Sequence, residues 1–224
     1  MNDEREMHFM KQREAMVAEQ IESRYLKNTA LLEVMRKIPR HRFVPPEYQD
    51  AAYEDRPLMI GENQTISQPY IVALMTHLLR LTGQEIVLEI GTGSGYQAAV
   101  LAALAKQVYT IERHASLAQR AQTTLKELGI ENVCVKQGDG SCGWTEYAPF
   151  NAIMVTAAAP KAPKPLLEQL KIGGRMVLPV GDLGVQYLQT WDRTKSGFQY
   201  ENVVPVAFVP LRGQFGFEKD WYNK

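Results

Sequence analysis

The hydrophobic pattern changes character twice along the chain. Up to about Arg42, Met16, Ile21, Tyr25, Leu31, Leu32, Val34, Met35 and Ile38 recur at helical spacing among charged residues, which predicts helices with one buried stripe. Pro39 and the Pro45-Pro46 pair close that region. Residues 51–68 show no period and carry the breakers Pro57, Gly61 and Asn63, which predicts a loop. Pro69 suits the first turn of a following helix, with Ser67 as its cap, and Ile71, Val72, Leu74, Met75, Leu78 and Leu79 carry that helix toward Gly83.

From Gln84 onward apolar runs and helical stretches alternate. Runs at 86–90, 108–111, 133–135, 152–155 and 176–178 are short and almost wholly apolar, as strands buried on both faces are. Helical patterns at 96–105, 115–128 and 165–170 separate several of them, and Gly129 closes the second. This order predicts an α/β fold, a doubly wound, Rossmann-like and mainly parallel sheet. Runs at 187–191 and 203–209 have no helix between them and predict antiparallel strands at the sheet edge, where Pro205 is tolerated. The chain divides into an N-terminal helical region with a loop (1–82), an α/β core (83–212) and a tail (213–224), all in one domain.

Composition narrows the function. At 224 residues there is room for one sizeable core, and 45% hydrophobic with 22% charged residues is a compact composition rather than a disordered one. With a formal net charge of zero, no field gathers nucleic acid or anionic lipid, so neither is expected as a partner. Arg36, Lys37, Arg40 and Arg42 form the one basic cluster and read as a solvated helix end. Cys134 and Cys142 show neither C-x-x-C spacing nor a nearby histidine cluster, so no metal and no disulfide is expected. Cys134, between Val133 and Val135, reads as a small buried hydrophobe. The charged N-terminus lacks a signal-peptide core and no apolar run reaches membrane-spanning length; a cytoplasmic monomer is expected.

Candidate chemistry centres on Gly91-Thr92-Gly93-Ser94-Gly95, which follows a predicted strand and opens a predicted helix. Glycines there allow a tight turn and close ligand approach, and a helix N-terminus offers free N–H groups. A dinucleotide fingerprint needs glycine or alanine where Tyr96 stands. The G-x-G-x-G form preceded by the acidic Glu89 is the form seen in S-adenosylmethionine enzymes. Glu89 would act near the methionine ammonium or its waters. Glu112, ending the next strand, would accept from the ribose hydroxyls. Asp139, in Gly138-Asp139-Gly140, would accept from the adenine amino group, with Gly140 permitting close approach.

The segment Val87-Leu88-Glu89-Ile90-Gly91-Thr92-Gly93-Ser94-Gly95-Tyr96-Gln97-Ala98-Ala99 resembles the first motif of the protein-L-isoaspartate O-methyltransferase family. Pro39-Arg40-His41-Arg42-Phe43-Val44-Pro45, Gln64-Thr65-Ile66-Ser67-Gln68-Pro69-Tyr70, Val177-Leu178-Pro179-Val180-Gly181 and Phe208-Val209-Pro210-Leu211 are similar to further segments of that family. The resemblance implies an S-adenosylmethionine-dependent methyltransferase fold, with S-adenosylhomocysteine as coproduct. It implies methylation of the free α-carboxylate of L-isoaspartyl residues in damaged proteins and peptides, the ester then breaking down through a succinimide. By the same resemblance Ser67 is catalytic and the loop before residue 82 is the active-site loop. Thr65, Ile66, Ser67, Glu89, Gly91, Gly93, Gly95, Glu112, Asp139 and Gly140 would hold the cofactor, and Thr156, Pro179 and Val180 would line the substrate cleft.

Two positions depart from the family pattern. Asn63 stands where the family has glycine, and asparagine is the replacement best tolerated if that position needs positive φ. The tail from Gln214 to Tyr222 is longer and more aromatic than expected. His41 and His77 read as structural. A methyltransferase of the same fold acting on a small molecule or nucleic acid is the alternative; a non-catalytic binding module would not need Ser67, and a nicotinamide oxidoreductase is opposed by Tyr96.

Overall fold

The structure, a computed structural model, describes residues 2–182 and 184–217. Helix α1 (Asn2–Ala15) runs into a π-helical turn at Met16–Ile21, and α2 spans Thr29–Lys37. The Asn28 side chain caps α2 by accepting from the Leu31 N–H at 3.2 Å. Of the predicted stripe, Met16, Ile21, Leu31, Leu32, Met35 and Ile38 are buried together with Val17, whereas Tyr25 is corrected: at a left-handed φ of 66° it ends the helical turns and is 86% exposed.

The stretch expected as loop contains a small antiparallel hairpin, β1 (Leu58–Gly61) and β2 (Gln64–Ile66). Its turn residues Glu62 and Asn63 have φ of 52° and 55°, the left-handed pair that a twisted two-residue hairpin turn demands. Asn63 therefore does occupy a positive-φ position. The hairpin is fastened to helix α5 (Ala115–Glu127): the Ser116 hydroxyl donates to Glu62 at 2.6 Å and Arg120 donates to the Ile60 carbonyl. Helix α3 (Pro69–Leu78) begins one residue later than a Ser67 cap requires. Gln68 occupies the cap position without a side-chain bond, so the capping role expected for Ser67 is corrected.

The main sheet holds β3 (Ile86–Ile90), β4 (Gln107–Glu112), β5 (Val133–Gln137), β6 (Phe150–Val155), β7 (Leu170–Gly181), β8 (Gln186–Thr194) and β9 (Gly197–Val206). Their spatial order is β5-β4-β3-β6-β7-β8-β9, parallel from β5 through β7 and antiparallel beyond, as the α/β reading predicts. Helices α4 (Tyr96–Ala102) and α6 (Lys164–Gln169) complete the layers. Val87, Val108, Met154 and Val177 pack on one side with α3 and α4, while Leu88, Ile90, Ile153 and Met176 pack on the other with Leu166 of α6. Both faces of the central strands are thus filled, which explains their unbroken apolar sequence. Pro205 pairs with Tyr187 on the outermost strand, where its missing N–H costs no ladder bond.

Cys134 corrects another expectation: it is exposed. Strand β5 is the opposite edge of the sheet; Val133 and Val135 are half-buried against the core while Cys134, one residue out of phase, is not. Among the described residues no helix is long and apolar enough to cross a membrane, and no group of acidic, histidine and cysteine side chains could hold a metal.

Candidate functional site

The carboxyl ends of β3, β4, β5 and β6 meet on one rim, and β3 is the strand from which the order departs in both directions, the position at which ligands bind open α/β sheets. The glycine turn sits there. Gly91, Gly93 and Gly95 all have left-handed φ, at 94°, 53° and 89°. At Gly91 a Cβ would also come within 2.4 Å of Thr156 Oγ1. That Thr156 hydroxyl donates to the Gly91 carbonyl at 2.6 Å and so locks the turn to the end of β6.

Several of the N–H groups expected to be free at this turn are engaged within the protein. Gly91 and Thr92 donate to the Ile111 carbonyl, Gly93 to Glu112 Oε2 at 2.8 Å, Gly95 to the Thr92 carbonyl, and Tyr96 to Ser94 Oγ. The Glu112 carboxylate thus lies in the turn just ahead of α4. A nucleoside cofactor without phosphates has no need of those donors.

The three predicted carboxylates differ in setting. Glu112 is 5% exposed, accepts from Gly93 N and His114 N, and faces a cavity of about 80 Å³ bounded by Gly91, Gly93, His114, Gly140, Thr156 and the segment Pro210-Leu211-Arg212. Glu89 is fully buried beneath the turn rather than on the cavity wall. Thr110 donates to its Oε2 at 2.5 Å and Thr92 is linked to Thr110 at 2.6 Å, while Oε1 has no protein partner. Burial pushes the Glu89 carboxyl up to about 8. Asp139 accepts from Ser141 N and Oγ on one oxygen and from Gln214 N at 2.8 Å on the other, and these bonds hold it below the usual carboxylate range against the opposing effect of burial. The C-terminal segment thus lies directly on Asp139; from Glu218 the tail lies outside the described residues.

These features fit S-adenosylmethionine. The orphaned Glu89 Oε1 is a buried polar atom with no protein partner beneath the turn, and a cation brought near it would pull the Glu89 pKa back down. The Glu112 carboxylate keeps lone pairs toward the cavity, and Gly140 lines it where a Cβ would strike Ile90 at 2.5 Å.

A second cavity of about 470 Å³ adjoins the first through the shared residues Thr65, Thr156 and Val209. Ser67, Gln68 and Ile71 form one side, and Pro205, Val206, Ala207, Phe208 and Val209 the other. Thr65, Ile66 and Ser67 also line a narrow gap of about 30 Å³ against Gly91, Gly93 and Tyr96. Ser67 is half-buried, its hydroxyl engaged by no protein hydrogen bond among the described residues. Pro179 and Val180 do not line these cavities: Pro179 is buried and accepts from the Ala159 N–H on β7. Sequence reasoning gave no role to residues 205–212, which wall both cavities; the Phe208-Val209-Pro210-Leu211 motif was the available signal. His41 is structural as read, buried against Phe9 at 4.0 Å and bonded to the Tyr53 hydroxyl, its pKa lowered by burial to about 4. His77 is exposed on α3.

Known proteins agree with this architecture. A protein-L-isoaspartate O-methyltransferase 1 of Syntrophobacter fumaroxidans is 52% identical over 212 residues, covering 95% of this chain and 99% of that one. A solved protein-L-isoaspartate O-methyltransferase superposes with a TM-score of 0.83 at 28% identity, over 91% of this chain and 67% of that one. A Plasmodium falciparum structure in complex with S-adenosyl-L-homocysteine shares the fold, with a TM-score of 0.78 at 22% identity over 89% of this chain and 98% of that one. The family model described as protein-L-isoaspartate(D-aspartate) O-methyltransferase matches residues 11–216, and the chain belongs to that family.

Proposed function

We propose that this protein transfers the methyl group of S-adenosylmethionine to the free α-carboxylate of L-isoaspartyl residues in damaged proteins and peptides. The observation that carries the reading is the adjacency of two cavities, one at the carboxylate Glu112 and the glycine turn, the other at the unengaged Ser67 hydroxyl, with Thr65, Thr156 and Val209 common to both. When bound, S-adenosylmethionine supplies an electrophilic methyl on a sulfonium sulfur. Glu112, Gly91, Gly93 and Gly140 are the residues to hold it, with Glu89 buried beneath the turn and Asp139 at the adenine end. Thr65, Ile66 and Ser67 stand between cofactor and acceptor.

The acceptor carboxylate has an ordinary pKa near ~4, so it is ionised at neutral pH and the chain needs no general base. What remains is orientation, where correct alignment contributes several kcal/mol. Ser67 donates to one acceptor oxygen and leaves the other free to attack. Ile71, Pro205, Val206 and Phe208 give the acceptor cleft an apolar wall that strips water from the reacting charges. Residues 205–209 carry no charged side chain, in keeping with acceptors drawn from many proteins. A cytoplasmic monomer that binds neither nucleic acid nor membrane goes with this reading. The chemistry is checked by the stability of the product: a carboxyl methyl ester releases labelled methanol in mild base, whereas methyl groups on nitrogen would stay bound and refute the assignment.

A further inference from the structure

Arg40 is a charged residue with no exposed surface at all, in a cluster whose sequence reads as solvated helix end. It opens a 3-10 turn, Arg40–Phe43, between α2 and the hairpin. Its Nε donates to the Ala52 carbonyl at 2.7 Å and one Nη to the Ser67 carbonyl at 2.7 Å. The guanidinium also lies 4.8 Å from the centroid of the Tyr96 ring. Tyr96 is the first residue of α4, immediately after Gly95, and is itself fully buried with Phe43 edge-on at 5.5 Å. Burial lowers the pKa of Arg40 only to about 10, so it is charged at neutral pH. The other Nη has no protein partner.

A buried charge with incomplete pairing is a costly way to fill space. A planar guanidinium, however, can reach two carbonyls in its plane while offering its face to a ring, which neither lysine nor an apolar side chain can do. Its contacts span the two halves of the site: the main chain of the acceptor-side Ser67 and the helix that the cofactor turn opens. We propose that Arg40 is a positioning residue for methyl transfer, holding the Ser67 main chain at a set separation from the first turn of α4 and thereby aiming the Ser67 hydroxyl into the acceptor cleft. Displacement of such a group by about an ångström costs up to roughly a hundredfold in rate.

This rests on the methyltransferase reading above, and the experiment separates the two. Arg40→Lys is made alone and with Ser67→Ala, and S-adenosylhomocysteine affinity, thermal midpoint, kcat and peptide KM are measured. Arg40→Lys should bind S-adenosylhomocysteine within about threefold of wild type, with peptide KM similarly preserved, while kcat falls roughly ten- to hundredfold. In the Ser67→Ala background the same change should cost less than about threefold, because no hydroxyl is left to aim. An unchanged kcat, a loss of equal size in both backgrounds, or cofactor affinity falling in step with kcat would each overturn the role. If the lysine variant does not fold, Arg40→Met replaces it; failure of both to fold makes Arg40 a structural anchor and also overturns it. A wild type that labels no isoaspartyl peptide sinks the underlying reading, whereas a labelling wild type with equally active variants sinks Arg40 alone.

Discussion

At the scale of single residues the site is built from groups in unequal settings. Glu112 is held by two backbone N–H groups at the cavity wall, whereas Glu89 is sealed beneath it with one oxygen unpaired. Folded Glu89 keeps its proton up to about 8, against an ordinary value of 4.5, so the folded state binds more protons than the unfolded one in that window. Stability should therefore fall as pH rises from about 5 to 8, by at most ~1.4 kcal/mol per pH unit from this group. Glu89→Gln cannot titrate, so its thermal midpoint should gain on wild type across that range; a constant difference between the two proteins would contradict the assignment. Glu89 was legible in the sequence as a strand-end carboxylate, but its burial was not. The alternation that turns Val87 and Glu89 to one face while Leu88 and Ile90 take the other is invisible when both faces are apolar. Arg40 escaped for a related reason, since its partners Ala52 and Ser67 are brought to it by the fold.

At the scale of elements the parallel core could be read directly, because strands covered on both sides leave continuous apolar runs. The hairpin could not. Its strands have only four and three residues, and Glu62-Asn63 is not one of the strong glycine-bearing turn signals. The hairpin matters because β2 leads straight into Ser67 and the Glu62–Ser116 and Ile60–Arg120 bonds pin it to α5. Asn63 sits at φ 55°, which glycine accepts freely and a β-branched residue does not. Asn63→Gly should preserve kcat within about twofold, while Asn63→Val should cost about 1–2 kcal/mol in thermal unfolding and lower kcat with it. Equal behaviour of the two variants would show that the turn does not govern the loop.

Across the whole molecule, the two adjoining cavities draw most of their walls from different parts of the chain. The rim of β3, β4, β5 and β6 lines the cavity proposed for the cofactor, and the hairpin, α3 and residues 205–209 line the cavity proposed for the acceptor. The glycine turn and Glu112 could be assigned from local spacing, but the wall at residues 205–212 could not, because only chain reversal through β8 and β9 brings it back beside Ser67. The same return lays Gln214 on Asp139, which joins the C-terminal segment to the cofactor rim. Pro179 and Val180 show the opposite outcome, a family motif that serves the sheet instead of the cleft walls. An acceptor cleft fitted to an isoaspartyl carboxylate should distinguish linkage isomers of one sequence. The direct measurement is transfer of labelled methyl from S-adenosylmethionine to two peptides that differ only in an aspartyl or an isoaspartyl bond. The isoaspartyl peptide should be labelled and the aspartyl peptide should not; equal labelling of both, or of neither, would contradict the function assigned to this protein.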